Sequence, residues 1–168
     1  MLELADVTLA DLERIDGEWP PLRPKKDLTY SWRWRELVDG EKETFLLKKE
    51  DGTPVAIWVS RRRKPIVLGG KLYYRLDNIE VHPTHRGARL GRILGILLMA
   101  VIAQRALEVG ATGLVLATWD THADFYGKAG GVQVAPRGWT VATGLIPFTF
   151  DERALSRLKE MADEFIAD

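Results

Sequence analysis

The residues best suited to chemistry lie in one run, Asn78-Ile79-Glu80-Val81-His82-Pro83-Thr84-His85-Arg86-Gly87-Ala88-Arg89-Leu90-Gly91-Arg92. The first backbone N–H groups of a helix have no intrahelical partner and sit at the positive end of its dipole. A turn of small residues there, such as Gly87, Ala88 and Gly91, lets an anion approach closely. Arg86, Arg89 and Arg92 recur every three residues, and their planar forks can grip phosphate oxygens. The competing reading is a solvated basic helix start, which the dipole disfavours. A metal is the weaker chemistry: His82, His85 and His122 have no carboxylate cluster to complete a set, and His82 precedes a proline.

These residues need a strand before them and a helix after them. Lys71–Val81 carries Leu72, Tyr73, Tyr74, Leu76, Ile79 and Val81 and suits a central strand, which His82-Pro83 ends. From Leu90, the residues Leu94, Leu97, Leu98, Val101 and Ile102 recur at three- and four-residue spacing up to Gly110, predicting a helix of about five turns. Upstream, Met1–Val7 reads as a strand, and Thr8 with Asp11 has the spacing of a capping box opening a short helix through Leu12 and Ile15. Gly17–Lys26 holds three prolines and reads as a loop, followed by a short helix over Tyr30–Val38. Glu43–Lys49 and Thr53–Lys64 read as a hairpin around Asp51-Gly52. Downstream, Leu114–Thr118 reads as a buried strand and Thr121–Ala129 as a helix closed by Gly130-Gly131. Val132–Val134 and Trp139–Thr143 read as two more strands, and a tail striped by Leu155, Leu158, Met161, Ala162 and Phe165 as an amphipathic helix. With no internal repeat and no separating linker, this order implies one α/β domain over residues 1–168, a mixed, mostly antiparallel sheet flanked by helices.

Composition narrows the partners. The 168 residues are 46% hydrophobic and 29% charged, ordinary globular proportions. Twenty-four basic residues balance twenty-four acidic ones, which argues against nucleic acid or an anionic membrane as partner. The neutrality is not local: Val59–Arg92 holds nine Lys and Arg against only Asp77 and Glu80, an excess that suits a compact anion. Arg61-Arg62-Arg63-Lys64, within it, reads as a solvated strand end. There is no cysteine, hence no disulfide and no thiolate nucleophile. The apolar run Ile93–Ala103 falls short of the ~20 residues of a membrane span. The N-terminal residues, with Glu3 and Asp6, lack a signal-peptide pattern, and the expected location is the cytoplasm.

Val81-His82-Pro83 and Arg86-Gly87-Ala88-Arg89-Leu90-Gly91 fall in the register of a known pattern, Gln/Arg-x-x-Gly-x-Gly/Ala after a strand ending in Val-x-Pro. The chain here resembles the GNAT superfamily of N-acetyltransferases, with Arg89 where that family usually has Gly. Ala123-Asp124-Phe125-Tyr126-Gly127-Lys128-Ala129-Gly130-Gly131 is similar to its Ala-x-x-Phe-Tyr-x-Lys-x-Gly-Phe segment, with Gly131 in place of the final Phe.

The resemblance implies an acetyl-CoA-dependent N-acetyltransferase, in which a primary amine of a small molecule or peptide attacks the thioester directly in a ternary complex. It implies coenzyme A binding by Ile79, Glu80, Val81, Arg86, Gly87, Ala88, Arg89, Leu90, Gly91 and Arg92, without a metal. The backbone of Ile79–Val81 would take the pantetheine arm. The amine must lose a proton, for which Asp77 and Glu80 are the nearest carboxylates. Strand alternation puts these two on opposite faces unless a bulge intervenes, and pairing with Arg75 is the bland alternative for either. Tyr126 sits where the family places the acid for the leaving thiolate, against a purely packing role. Tyr30, Trp32 and Trp34 fall where the family folds its acceptor-binding helices. A catalytically weak acyl-CoA sensor of the same fold is the alternative function, and a homodimer is left open.

Overall fold

The computed structural model describes residues 2–19, 42–60, 64–81 and 89–166, giving the backbone alone at 78, 80, 89–92 and 162–166. The helix expected over Tyr30–Val38, with Tyr30, Trp32 and Trp34, lies outside these residues, as do Arg61–Arg63 and the loop from His82 to Ala88.

The elements follow the expected order with two additions. β1 (Leu2–Asp6) leads to α1 (Leu9–Glu18), then β2 (Glu43–Lys49), β3 (Pro54–Ser60), β4 (Ile66–Leu68) and β5 (Lys71–Val81). Next come α2 (Arg89–Glu108), β6 (Gly113–Thr118), α3 (Asp120–Lys128), β7 (Ile146–Asp151) and α4 (Glu152–Ile166). The strands form a seven-stranded sheet in the order β1-β2-β3-β5-β6-β7, with β4 paired to the start of β5. Every pairing is antiparallel except β5–β6.

Local chemistry accounts for most boundaries. At α1 the Asp11 N–H donates to Thr8 Oγ1 at 3.2 Å and the Thr8 N–H to Asp11 Oδ2 at 3.0 Å, the expected capping box. Lys48 on β2 adds an ion pair to Asp11 at 2.9 Å, tying the helix start to the sheet. Gly52 and Gly110 adopt φ of +78° and +85°, the left-handed turns that close the β2–β3 hairpin and stop α2.

The additions and corrections have physical reasons. β4 has three residues and follows the proline at 65. It is made a strand by the Gly69-Gly70 turn, which folds it onto Lys71–Tyr73. β7 was hidden by Pro147, which an edge strand tolerates. The two strands expected at Val132–Val134 and Trp139–Thr143 do not form. Val132 makes one isolated bridge to Thr149, and the rest of 133–145 is irregular, turning at Gly138 and Gly144 with φ of +87° at each.

Two apolar layers cover the sheet. Leu12, Ile15 and Trp19 of the α1 segment pack on Leu46, Ile57 and Val59. On the other face α2 and α4 close over Trp58, Tyr74, Leu76, Leu114, Leu116, Phe148 and Phe150, with Leu98, Ile102, Leu155 and Leu158 fully buried between them. Arg105 of α2 reaches β2 as well, its Nε donating to the buried Glu43 carboxylate at 2.5 Å.

Candidate active site

The site begins where two parallel strands part. β5 and β6 are in register only at Tyr73↔Gly113, Tyr74↔Leu114 and Arg75↔Val115. Beyond that point β5 follows β3 to the pair Val81↔Ala56, and β6 follows β7 to Thr118↔Ile146. Each strand is drawn away by its other neighbour. Among the described residues, no β5–β6 pairing continues beyond Arg75↔Val115. The helix α2 starts eight residues beyond the end of β5, with no acidic residue in its first turn. The structure places Ile79, Glu80 and Val81, the residues expected to take the pantetheine arm, in this outer half of β5. It leaves Arg86, Gly87 and Ala88 outside the described residues and Arg89, Leu90, Gly91 and Arg92 in the first turn of α2.

A bulge lies at the same point. The β3–β5 register passes from Val59↔Asn78 to Ser60↔Leu76, so Asp77 is the extra residue. Tyr74 and Leu76 before it and Ile79 and Val81 after it all join the core beneath α2. Position 80 pairs in register with Ile57, which belongs to the α1 layer. Strict alternation thus does not separate residues 77 and 80.

Asp77 is 13% exposed and ion-paired with Arg75, Nε to Oδ1 at 3.6 Å, the pairing weighed above as the bland role. The Arg75 guanidinium also lies over the Trp139 ring, 5.6 Å from its centroid. The loop carrying Trp139 is held against this face of the sheet. Thr149 Oγ1 donates to the Val134 carbonyl at 2.7 Å, and Val132 and Thr149 exchange backbone hydrogen bonds of 2.9 Å each. Arg75, Asp77, Trp139 and Lys42 line a cavity of about 290 Å³ with Leu76, Ala117 and residues 140–142 and 145. Trp139, Lys42 and the anchoring role of this loop went unseen in the sequence. The one signal was a tryptophan placed directly after the turn former Gly138.

Tyr126 lies on α3 and is 7% exposed, its ring edge-on to Phe125 at 5.1 Å and tilted against Phe148 at 5.8 Å. Phe125 itself lies on Gly95 of α2, where an added Cβ would come within 3.0 Å of the ring. The paired motif residues therefore lock α3 to α2. Tyr74 is a poor proton donor, because burial pushes its hydroxyl above the ordinary phenol range. His122 is exposed in the first turn of α3, while His82 and His85 lie outside the described residues. A larger cavity, about 620 Å³, opens between β1–β3 and α2 among Leu2, Phe45, Trp58 and Val101, and its described lining includes neither Asp77 nor Tyr126.

A sequence profile described as the Acetyltransferase (GNAT) family matches residues 9–130. The chain belongs to the GNAT family. GNAT enzymes in general use acetyl-CoA. Solved structures agree at the level of the fold. The ribosomal-protein-S18-alanine N-acetyltransferase of Escherichia coli matches with a TM-score of 0.56 and 19% identity, over 90% of this chain and 94% of that one. Nourseothricin acetyltransferase matches with a TM-score of 0.57 and 20% identity, over 89% and 98%. Mutant forms of the spermidine/spermine N-acetyltransferase of Vibrio cholerae match with a TM-score of 0.61 and 10% identity, over 94% and 98%. No curated protein sequence matches significantly. Among the described residues of this GNAT chain, no helix is long and apolar enough to cross a membrane.

Proposed function

We propose that this chain is an acetyl-CoA-dependent N-acetyltransferase acting, as one domain, on a primary amine of a small molecule or peptide. The observation that carries the reading is the parting of β5 and β6 after Arg75 and Val115, ahead of a helix whose approach and first turn together hold three arginines. When bound, acetyl-CoA supplies an acetyl group activated as a thioester. The backbone of Ile79, Glu80 and Val81 holds the pantetheine amides and polarises the thioester carbonyl. Arg86, Arg89 and Arg92, with the small residues Gly87, Ala88 and Gly91 and with Leu90 in the first turn of α2, hold the pyrophosphate.

An amine attacks only after losing its proton. Glu80 takes that role in our reading, directly or through a water. Asp77, engaged with Arg75, holds the acceptor side of the site in shape and is the second candidate base. The Tyr126 hydroxyl gives its proton to the departing thiolate, and the packing of its ring between Phe125 and Phe148 keeps the group from wandering.

The test is thiol release from acetyl-CoA across a panel of amines, beside direct measurement of coenzyme A binding. Amine-stimulated thiol release is expected, and Arg86→Ala combined with Arg89→Ala should weaken coenzyme A binding and flatten its salt dependence. Binding of acetyl-CoA with no amine stimulating release would replace the enzyme by the sensor reading. Affinity unchanged in the double variant would remove the arginines from the site.

A further inference from the structure

The cavity beside the bulge has a chemistry of its own. Its described lining carries two cations, Lys42 and Arg75, and one carboxylate, Asp77. The formal charge of these described residues is net positive, an unfavourable environment for a polyamine and a favourable one for an anion. Arg75 is also held in place. Its guanidinium lies over the Trp139 ring at 5.6 Å and beside Asp77 at 3.6 Å, and the side chain is 32% exposed. A cation oriented in advance by a ring face and a carboxylate loses little freedom when it takes a ligand. A guanidinium offers five N–H donors in a fork that matches a carboxylate. The remaining wall, with Leu76, Ala117, Val141 and Leu145, suits a short apolar chain, and about 290 Å³ admits one small molecule.

We infer that the acceptor is an amino-acid-like molecule, carrying a carboxylate on the same short skeleton as its amine, and that Arg75 with Lys42 receives that carboxylate. The inference rests on the acetyl-transfer reading for the fate of the amine, but not for the binding of the carboxylate. Trp139 acts as a positioning residue: it touches Arg75 and keeps the fork turned into the cavity. The amine then lies toward the parted strands, because residues 76–81 continue from Arg75 along the edge where the thioester is proposed to bind.

The probes are glycine, 4-aminobutanoate, 6-aminohexanoate and L-leucine, each beside its primary amide, with spermidine as the polycation. Two readouts run in parallel on the full chain. Calorimetric titration measures binding in the presence of coenzyme A, and thiol release measures transfer. At least one acid should bind, and be acetylated by kcat/KM, tenfold or more better than its amide. Arg75→Gln should bring that ratio near one, and Arg75→Lys, which keeps the charge but loses the fork, should leave it in between. Trp139→Leu should lower the ratio with circular dichroism unchanged. Acid binding that depends on Arg75 with no amine acetylated would uphold the carboxylate site and defeat the acetyl-transfer reading. Acetylation with acids and amides equal, or with spermidine preferred, would defeat the carboxylate site and leave acetyl transfer standing. No acid bound in either assay would defeat it as well.

Discussion

Gly131 stands where the GNAT motif that this segment resembles ends in Phe, and the packing around Gly131 supplies a reason that a single substitution can test. A Cβ built on Gly131 would lie 2.7 Å from Phe150 Cζ, 2.9 Å from Phe150 Cε2 and 3.0 Å from Phe148 Cδ1. Neither ring has room to withdraw, since Phe150 is 0% and Phe148 2% exposed. Forcing a methyl into a filled core costs about 1–3 kcal/mol. Gly131 is not among the positive-φ glycines, so alanine meets no backbone penalty and regains about 0.4–1 kcal/mol through the unfolded chain. The net for Gly131→Ala is a loss of about 1–2 kcal/mol. With a urea slope of about 2 kcal/mol/M, the unfolding midpoint should fall by roughly 0.5–1 M. Gly127→Ala is the control. It lies inside α3 with nothing within 4 Å of its added Cβ, so it should raise the midpoint through helix propensity worth about 0.5–1 kcal/mol. Because Phe148 also touches the Tyr126 ring at 5.8 Å, Gly131→Ala should lower kcat as well as stability. A Gly131→Ala protein as stable as wild type would show that these rings yield, and would refute the packing argument.

Tyr126→Phe removes a hydroxyl and keeps the ring packing, so kcat should fall about a hundredfold or more while KM stays within about threefold; a wild-type rate would leave Tyr126 a core aromatic. At Asp11, burial opposes the charge, but the hydrogen bonds from Lys48 and Thr8 outweigh it and hold the carboxyl below its ordinary value of 3.8. A depressed carboxyl contributes its stability in full above that value and loses it as the pH falls below it. Asp11→Asn should therefore cost about 1 kcal/mol at neutral pH and flatten the pH dependence of the urea midpoint below about pH 4, and an unchanged acid limb would refute the assignment.

What the sequence conveyed was whatever depends on near neighbours in the chain. The capping box of Thr8 and Asp11, the turn at Gly52, the span Lys71–Val81 and the stop at Gly110 are decided by a few adjacent residues, and they stand as read. The misreadings occur where distant segments decide. Val132–Val134 has strand-forming residues, yet the position beside β6 goes to Ile146–Asp151, which lies in full register with it from Gly113↔Asp151 to Thr118↔Ile146. The bulge at Asp77 is a property of the β3–β5 register, so alternation counted along β5 alone could not place residues 77 and 80. Arg75 was weighed only as a partner for a carboxylate, because its second neighbour, Trp139, comes from a loop 64 residues later in the chain.

The bulge and the strand parting occur within two residues of each other on β5, and this coincidence has a mechanical basis. Through Arg75, β5 is paired with β6. From Leu76 onward its strand pairing among the described residues is with β3, and it takes up an extra residue at Asp77 in doing so. A bulge bends a strand and increases its local twist, which turns the outer half of β5 away from β6. The same bend returns Ile79 and Val81 to the core beneath α2, where two buried anchors fix the direction of the outer half. Arg75 sits at the last paired position, on the rigid side of the bend, while Glu80 sits on the freed side. In the proposed enzyme the group that binds the acceptor and the group that takes its proton are thus carried on opposite sides of one bulge. Removing the extra residue would leave Leu76, Ile79 and Val81 on the core face in strict alternation, with their pairing to β3 unchanged, but it would take out the bend that turns the outer half of β5 away from β6 and so close the opening.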